Sequence, residues 1–214
     1  ITSDRQRLAV EVTARVVDIG GRRLCLTVSH SIAAHKELEE FLRGLTDVDE
    51  LTGLLNRRGF FARIDEIRRK AKRSDRQVLI TYFDVDGLKR VNDERGHSEG
   101  DKLLVAAADV LRTAFREQDI VARLGGDEFV ALALLGLRHD EALDRQAIEI
   151  RVEQAVQAKR AEMGAEFDFS VSLGSMTANH LELCRIDELL ARADQQMYEA
   201  KRARRRSRTA AAAG

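Results

Sequence analysis

Residues 8–17 alternate, with Val10, Val12, Ala14 and Val16 on one side and Glu11, Thr13 and Arg15 on the other. After a turn at Asp18-Ile19-Gly20-Gly21, Leu24, Leu26 and Val28 alternate with Arg23, Cys25 and Thr27. A period of two on both sides of a glycine pair predicts a β-hairpin. Two strands alone are marginal in water, so this hairpin calls for more chain or a partner. From about Ser31 the period changes. Leu38, Phe41, Leu42 and Leu45, set among Lys36, Glu37, Glu39, Glu40 and Arg43, mark an amphipathic helix over 31–47. Its apolar stripe either packs on its own domain or pairs with a second copy as a short coiled coil, because two heptads do not decide between them.

Further along, a polar turn at 49–58 opens a helix over 58–72, and the β-rich run 78–83 predicts a buried strand. Leu103, Leu104, Ala107, Val110, Leu111 and Ala114 share one face of a helix over 100–116. The apolar runs 120–124 and 129–135 flank Gly125-Gly126, a pair that permits the positive φ of a tight hairpin turn. A polar helix over 139–163, a strand over 167–173 and a helix over 186–202 follow, the last with Leu189, Leu190, Ala193 and Met197 inward. The order helix, strand, helix, hairpin, helix, strand, helix predicts an α+β fold: a ferredoxin-like layer of helices on one central mixed sheet.

Composition narrows the function classes. The 214 residues, 44% of them hydrophobic, hold one full domain and a fragment of another. Thirty-six basic residues balance thirty-six acidic ones, which gives no bias toward nucleic acid or a membrane surface. Cys25 and Cys184 lack CxxC spacing, so zinc is not expected and buried thiols are. No run reaches the roughly 18 apolar residues of a membrane span. No secretory leader is visible, and the chain opens on Ile1. The expectation is therefore a cytoplasmic segment, with any membrane attachment carried by segments upstream.

Candidate chemistry gathers at strand ends. Asp84 and Asp86, two apart, project to the same face where the first long strand stops. Gly87-Leu88-Lys89-Arg90 then turns toward a helix, where free N–H groups suit phosphate. Asn92, Asp93, Gly96, His97, Gly100 and Asp101 continue the polar stretch. Asp127 and Glu128 adjoin at the hairpin turn, and two like charges there either sit in water or hold a cation. A basic run, Lys201-Arg202-Ala203-Arg204-Arg205-Arg206, ends the last helix and is either a solvated tail or a phosphate contact.

Together, the segments 49–58, 84–101, 116–129 and 193–205 resemble the GGDEF family of diguanylate cyclases, over about residues 46–206. The resemblance implies a fold related to the palm of nucleotide cyclases and polymerases, and the joining of two GTP into cyclic di-GMP with release of pyrophosphate. It makes Asp84, the Val85 carbonyl, Asp127 and Glu128 the Mg2+ ligands, with Mn2+ as an alternative ion, and Asp127 and Glu128 the catalytic acids. Asn92 and Asp101 would bind guanine; the N–H groups of Gly87 and Leu88, with Lys201 and Arg205, would hold the triphosphate. Each domain would carry one GTP, so a homodimer is implied. Arg116 and Asp119 match the family's RxxD inhibitory motif, where product would be clamped; taken alone they read as a surface ion pair. Leu88 replaces the usual Phe, and Arg204 and Arg206 replace the usual Gly and Asn, so Arg204 and Arg206 compete with Arg205 for the phosphate role.

The N-terminal hairpin resembles the last two strands of a PAS sensor domain, with His30-Ser31-Ile32 where that family carries an Asp-Ile-Thr-like triplet. The expected organisation is thus a truncated PAS-like hairpin at 1–30, a signalling helix at 31–47, the cyclase domain at 48–206 and a tail at 207–214. The alternative is a GGDEF domain without turnover that acts as a cyclic di-GMP or GTP receptor. Such domains break the signature or lose the acids, and neither is seen here.

Overall fold

The computed structural model describes residues 10–20, 22–31, 46–136, 141–164 and 169–212, in two compact units that divide after Thr46. The expected signalling helix at 31–47 therefore lies almost wholly outside the described residues.

In the first unit, β1 (Val10–Ile19) pairs antiparallel with β2 (Arg22–Ser31) over their full lengths. The register sets Val12 opposite Ser29, Ala14 opposite Thr27 and Val16 opposite Cys25. Cross-strand partners share a face, so the valine stripe of β1 lies with the polar stripe of β2, and the two apolar alternations fall on opposite faces. Val12 and Val16 are correspondingly exposed. Cys25 and Cys184 are exposed as well, which corrects the expectation of buried thiols. Cys25 shares the half-polar hairpin face, and Cys184 lies in a short 3-10 turn, where Arg68 Nη1 donates to its sulfur at 3.1 Å.

The second unit runs α1 (Arg57–Ser74), β3 (Val78–Val85), α2 (Leu88–Arg95), α3 (His97–Ala114), β4 (Ile120–Gly125), β5 (Glu128–Leu134), α4 (Glu141–Met163), β6 (Val171–Ala178) and α5 (Ile186–Ala212). The sheet order is β4-β5-β3-β6, the ferredoxin-like arrangement. Every named strand pair is antiparallel, and the parallel contact recorded is the isolated bridge between Leu55 and Ala122. Among the described residues the four-stranded sheet is therefore antiparallel where a mixed one was expected, because β5 inserts between the two strands that the crossover helices would otherwise set side by side. α1 begins where the Asn56 side chain accepts from the Gly59 N–H at 2.9 Å.

Period two along β3 sorts its residues between two cores. Leu79, Phe83 and Val85 face α3 and α4, whereas Val78, Ile80 and Tyr82 face α1 and α5. Helices cover both faces of the sheet. β6 lies four or five residues later than its apolar pattern indicates: Ser172, Gly174 and Ser175 break the alternation, and the ladder with β3 defines the strand instead. Ser175 Oγ and Thr81 Oγ1, both buried, satisfy each other at 3.2 Å. Gly174 permits the close seating of α5, since a Cβ there would stand 2.3 Å from the Met197 amide nitrogen and 2.4 Å from the Ala193 carbonyl oxygen. α5 continues through the expected tail as far as Ala212.

Candidate functional site

On β3 the apolar positions Val78, Ile80 and Tyr82 lead to Asp84 on the same face, and Asp84 is paired with Glu128 on β5 and with Ser172 on β6. The β4–β5 turn differs by one residue from expectation. A bulge at Leu124 sets Gly125 opposite Glu128, so Gly126 and Asp127 form the loop and Asp127 stands in the turn itself. Gly126 has φ +49°, the left-handed region that favours glycine. The Val85 N–H donates to the Asp127 carbonyl at 3.2 Å, tying this turn to the end of β3.

Lys201 reaches the same place from α5. Ile186, Leu189, Leu190, Ala193 and Met197 form the buried stripe of that helix. Lys201, one turn beyond Met197, extends the stripe past the end of the apolar sheet surface. Its Nζ donates to Asp84 Oδ1 and lies 3.3 Å from Asp86 Oδ1. Asp86 also accepts from Ser170 Oγ at 2.9 Å and from Ser172 Oγ at 2.9 Å.

The electrostatics record a crowded acidic corner. Burial, with the charges of Asp127 and Asp86 added, raises the Asp84 carboxyl above its ordinary value, while Lys201 opposes the shift. Burial alone would lower the Lys201 ammonium, yet Asp84 and Asp86 hold it above its ordinary value. Both values rise, with opposite consequences: burial and the neighbouring carboxylates favour the neutral acid at Asp84, whereas the facing carboxylates favour the charged ammonium at Lys201. Tyr82, on the same face, is pushed up by burial and by the charge of Glu128. The donor set of Asp84, Asp127, Glu128 and the Val85 carbonyl is all hard oxygen, which suits Mg2+. Among the described residues no three acidic, His or Cys side chains already converge on an ion position.

The other predicted residues fall around this corner. Gly87 precedes α2 with φ +76° and no side chain caps the helix, so the Leu88 turn offers its N–H groups outward. α2 and α3 are separate helices broken at Gly96, where one polar stretch was expected. Asn92 lies against Gly100, where a Cβ would come within 1.9 Å of its Oδ1, and that oxygen is buried without a partner. Asp101 is the residue after Gly100 and is exposed. It also lines a cavity of about 420 Å³ between α3 and α4 with Ser98, Val105, Lys159 and Met163. Arg205 lies in the helical backbone of α5.

Arg116 and Asp119 form a tight turn, with the Arg116 N–H donating to Asp119 Oδ2 at 2.9 Å. Burial raises the Asp119 carboxyl, against that hydrogen bond and the charges of Arg116, Arg151 and Arg76. Arg151 and Arg76 are additions that sequence reasoning missed.

A second omission is the clasp formed by Asp49, Thr52 and Arg123. Asp49 Oδ1 accepts from the Thr52 N–H at 2.9 Å and the Thr52 hydroxyl at 2.6 Å. Arg123 Nη1 donates to both Asp49 oxygens, while its Nε and Nη2 donate to the Gly126 carbonyl at 3.0 and 2.8 Å. The domain's first turn is thereby fastened to the residue before Asp127.

The family model of the diguanylate cyclase GGDEF domain matches residues 46–207. Diguanylate cyclase DgcM of Escherichia coli is 38% identical over 194 residues, which cover 90% of this chain and 45% of that protein. The bifunctional diguanylate cyclase/cyclic di-GMP phosphodiesterase MucR of Pseudomonas aeruginosa is 34% identical over 196 residues, covering 91% and 28%. The chain thus spans less than half the length of these curated relatives. Among solved structures, diguanylate cyclase SiaD of Pseudomonas aeruginosa, in complex with its activator SiaC, superposes with a TM-score of 0.63 at 31% identity, covering 79% of this chain and 64% of that one. The GGDEF domain of DgcB from Caulobacter crescentus, in complex with c-di-GMP, gives 0.62 at 25% identity, covering 74% and 91%.

Proposed function

Because this chain belongs to the diguanylate cyclase GGDEF-domain family, we propose that it condenses two GTP into cyclic di-GMP with release of two pyrophosphates. The observation that carries this reading is the meeting of Asp84 from β3, Asp127 and Glu128 from the β4–β5 turn and Lys201 from α5 at one end of the sheet.

In each step the 3′-oxygen of one GTP bonds to the α-phosphorus of the other. The bond from that phosphorus to the bridging oxygen breaks, pyrophosphate leaves with the electron pair, and the hydroxyl proton is released. Two such steps close the ring. Phosphoryl transfer asks the protein chiefly for positioning and charge neutralisation. Asp84, the Val85 carbonyl, Asp127 and Glu128 would hold Mg2+ or Mn2+, which when bound polarises the phosphoryl oxygens. Asp127 and Glu128 are the catalytic acids in this reading. The N–H groups of Gly87 and Leu88, with Lys201 and Arg205, bind the triphosphate. Asn92 and Asp101 read guanine, and the partnerless Asn92 Oδ1 supports this, since guanine brings N–H donors at N1 and N2. Each domain holds one GTP, so two copies face each other during turnover. GTP supply places the reaction in the cytoplasm; no described helix is long and apolar enough to cross a membrane.

We further propose that Arg116 and Asp119 bind the product and inhibit turnover. Arg76 and Arg151 beside Asp119 add cationic character to the place where its phosphates would sit.

The test is incubation with GTP and Mg2+, separation of nucleotides by chromatography, and an Asp127→Ala control. Cyclic di-GMP from the parent chain and none from the variant is the expected result. Binding of cyclic di-GMP without any GTP consumption would replace the enzyme by a receptor.

A further inference from the structure

Asp86 lies outside the ligand set above, yet its carboxylate is held from several sides. Ser170 Oγ donates to Oδ2 at 2.9 Å, and Ser172 Oγ lies 2.9 Å from Oδ1 and 3.1 Å from Oδ2. Its own N–H donates to the Ser170 carbonyl at 2.9 Å, so backbone and side chain are fixed together. The carboxylate held in this way faces Lys201, whose Nζ is 3.3 Å from Oδ1 and also donates to Asp84 Oδ1. Lys201 and Asp84 are similarly secluded, at 19% and 18% side-chain exposure. The ammonium therefore stands over the acid that a divalent ion must use, with a second, immobilised acid beside it.

We propose that Lys201 is a built-in counter-ion that competes with the divalent ion for Asp84, and that Asp86, clamped by Ser170 and Ser172, is the positioning residue that retains Lys201 once the ion has taken Asp84. This rests on the cyclase reading for the identity of the ion site. A lysine suits this role because it is a point charge with three donors on a flexible stem, so it can leave one acid while remaining bonded to the next. Held by Asp86, it stays beside the ion, where the triphosphate's negative charge arrives. Without Lys201, Asp84 would be left with the charges of Asp86 and Asp127 and without the ammonium that offsets them.

Mn2+ binding to the intact chain without nucleotide, followed by the electron paramagnetic resonance of the free ion, tests this directly. Lys201→Met is expected to tighten Mn2+ binding by at least about fivefold, as removal of a nearby unit charge requires. Lys201→Arg, which keeps the charge, is expected to bind no tighter than the parent, and circular dichroism checks that both fold. Asp86→Asn is expected to weaken Mn2+ binding more in the parent than in the Lys201→Met background, because Asp86 acts through Lys201. Equal losses in the two backgrounds would make Asp86 a ligand and overturn its positioning role. Unchanged or weaker binding by Lys201→Met would overturn the competition. A chain that forms cyclic di-GMP but fails this test loses only the inference; one that passes it but forms no product loses only the cyclase reading.

Discussion

Replacing Arg123 by Ala removes a fork that joins two segments 74 residues apart in sequence. Nη1 lies 3.2 and 3.3 Å from the Asp49 oxygens, and Nε and Nη2 lie 3.0 and 2.8 Å from the Gly126 carbonyl. Side-chain exposures of 13% for Arg123 and 24% for Asp49 put the pair between two regimes. Breaking a buried ion pair costs about 3–5 kcal/mol, and an exposed one about 0–1 kcal/mol. Hydrogen bonds to charged groups contribute about 1.5–3 kcal/mol. Asp49 keeps its two Thr52 donors in the variant, so we expect a loss of about 2–3 kcal/mol. For a domain of this size that corresponds to roughly 5–10 °C in Tm. Arg123→Lys restores the charge without the planar fork and should recover only part of the loss. Acid supplies a second reading. Burial alone would raise the Asp49 carboxyl, but the Thr52 hydrogen bonds and Arg123 hold it below its ordinary value. A depressed folded value means that its contribution is complete above the ordinary carboxylate range and is lost as pH falls through the folded value. The Tm gap between parent and Arg123→Ala should therefore narrow from neutral pH into strong acid, as followed by circular dichroism melts. A gap under about 1 °C at neutral pH, or one that widens in acid, refutes the clasp.

Three further outcomes follow from the same geometry. Gly174→Ala drives a Cβ against the α5 backbone and should cost about 2–3 kcal/mol in urea unfolding; a change under about 0.5 kcal/mol would show that α5 moves aside freely. Asp119→Asn should raise Tm above neutral pH and lose that advantage as pH falls toward the ordinary carboxylate value, because a carboxyl raised in the folded state favours folding only when protonated; melts at both ends of that range check the sign. Arg116→Ala should weaken cyclic di-GMP binding about tenfold or more, measured by calorimetry; unchanged affinity would return the RxxD turn to a structural role.

What could be read from sequence was what short-range periodicity encodes. An unbroken β-rich apolar run located β3 and, with it, the end at which Asp84 sits. The 3.6-residue stripe through Leu189, Ala193 and Met197 carries on to Lys201, so a lysine on an otherwise apolar stripe was a legible sign that α5 overshoots the core. β6 was displaced because two serines and a glycine supply no alternation; its pairing with β3 and the hydroxyl bond between Ser175 and Thr81 define it. Asp49 and Arg123 were invisible for a different reason. A polar pair so far apart leaves no periodic trace, and each residue alone passes for an ordinary turn or strand-edge charge. The turn itself moved by one residue because a bulge consumes a position that a regular hairpin would keep. That shift has a chemical consequence. It puts Asp127 in the loop and leaves Glu128 on the ladder opposite Asp84, so the adjacent acids of the signature differ in attachment. Glu128 is fixed by strand register opposite Asp84. Among the described residues Asp127 is held through its carbonyl's bond to Val85 and through Arg123 on the residue before it. The clasp thus bears on whichever of the two acids has less support from the sheet, which is why loosening it should disturb Asp127 before Glu128.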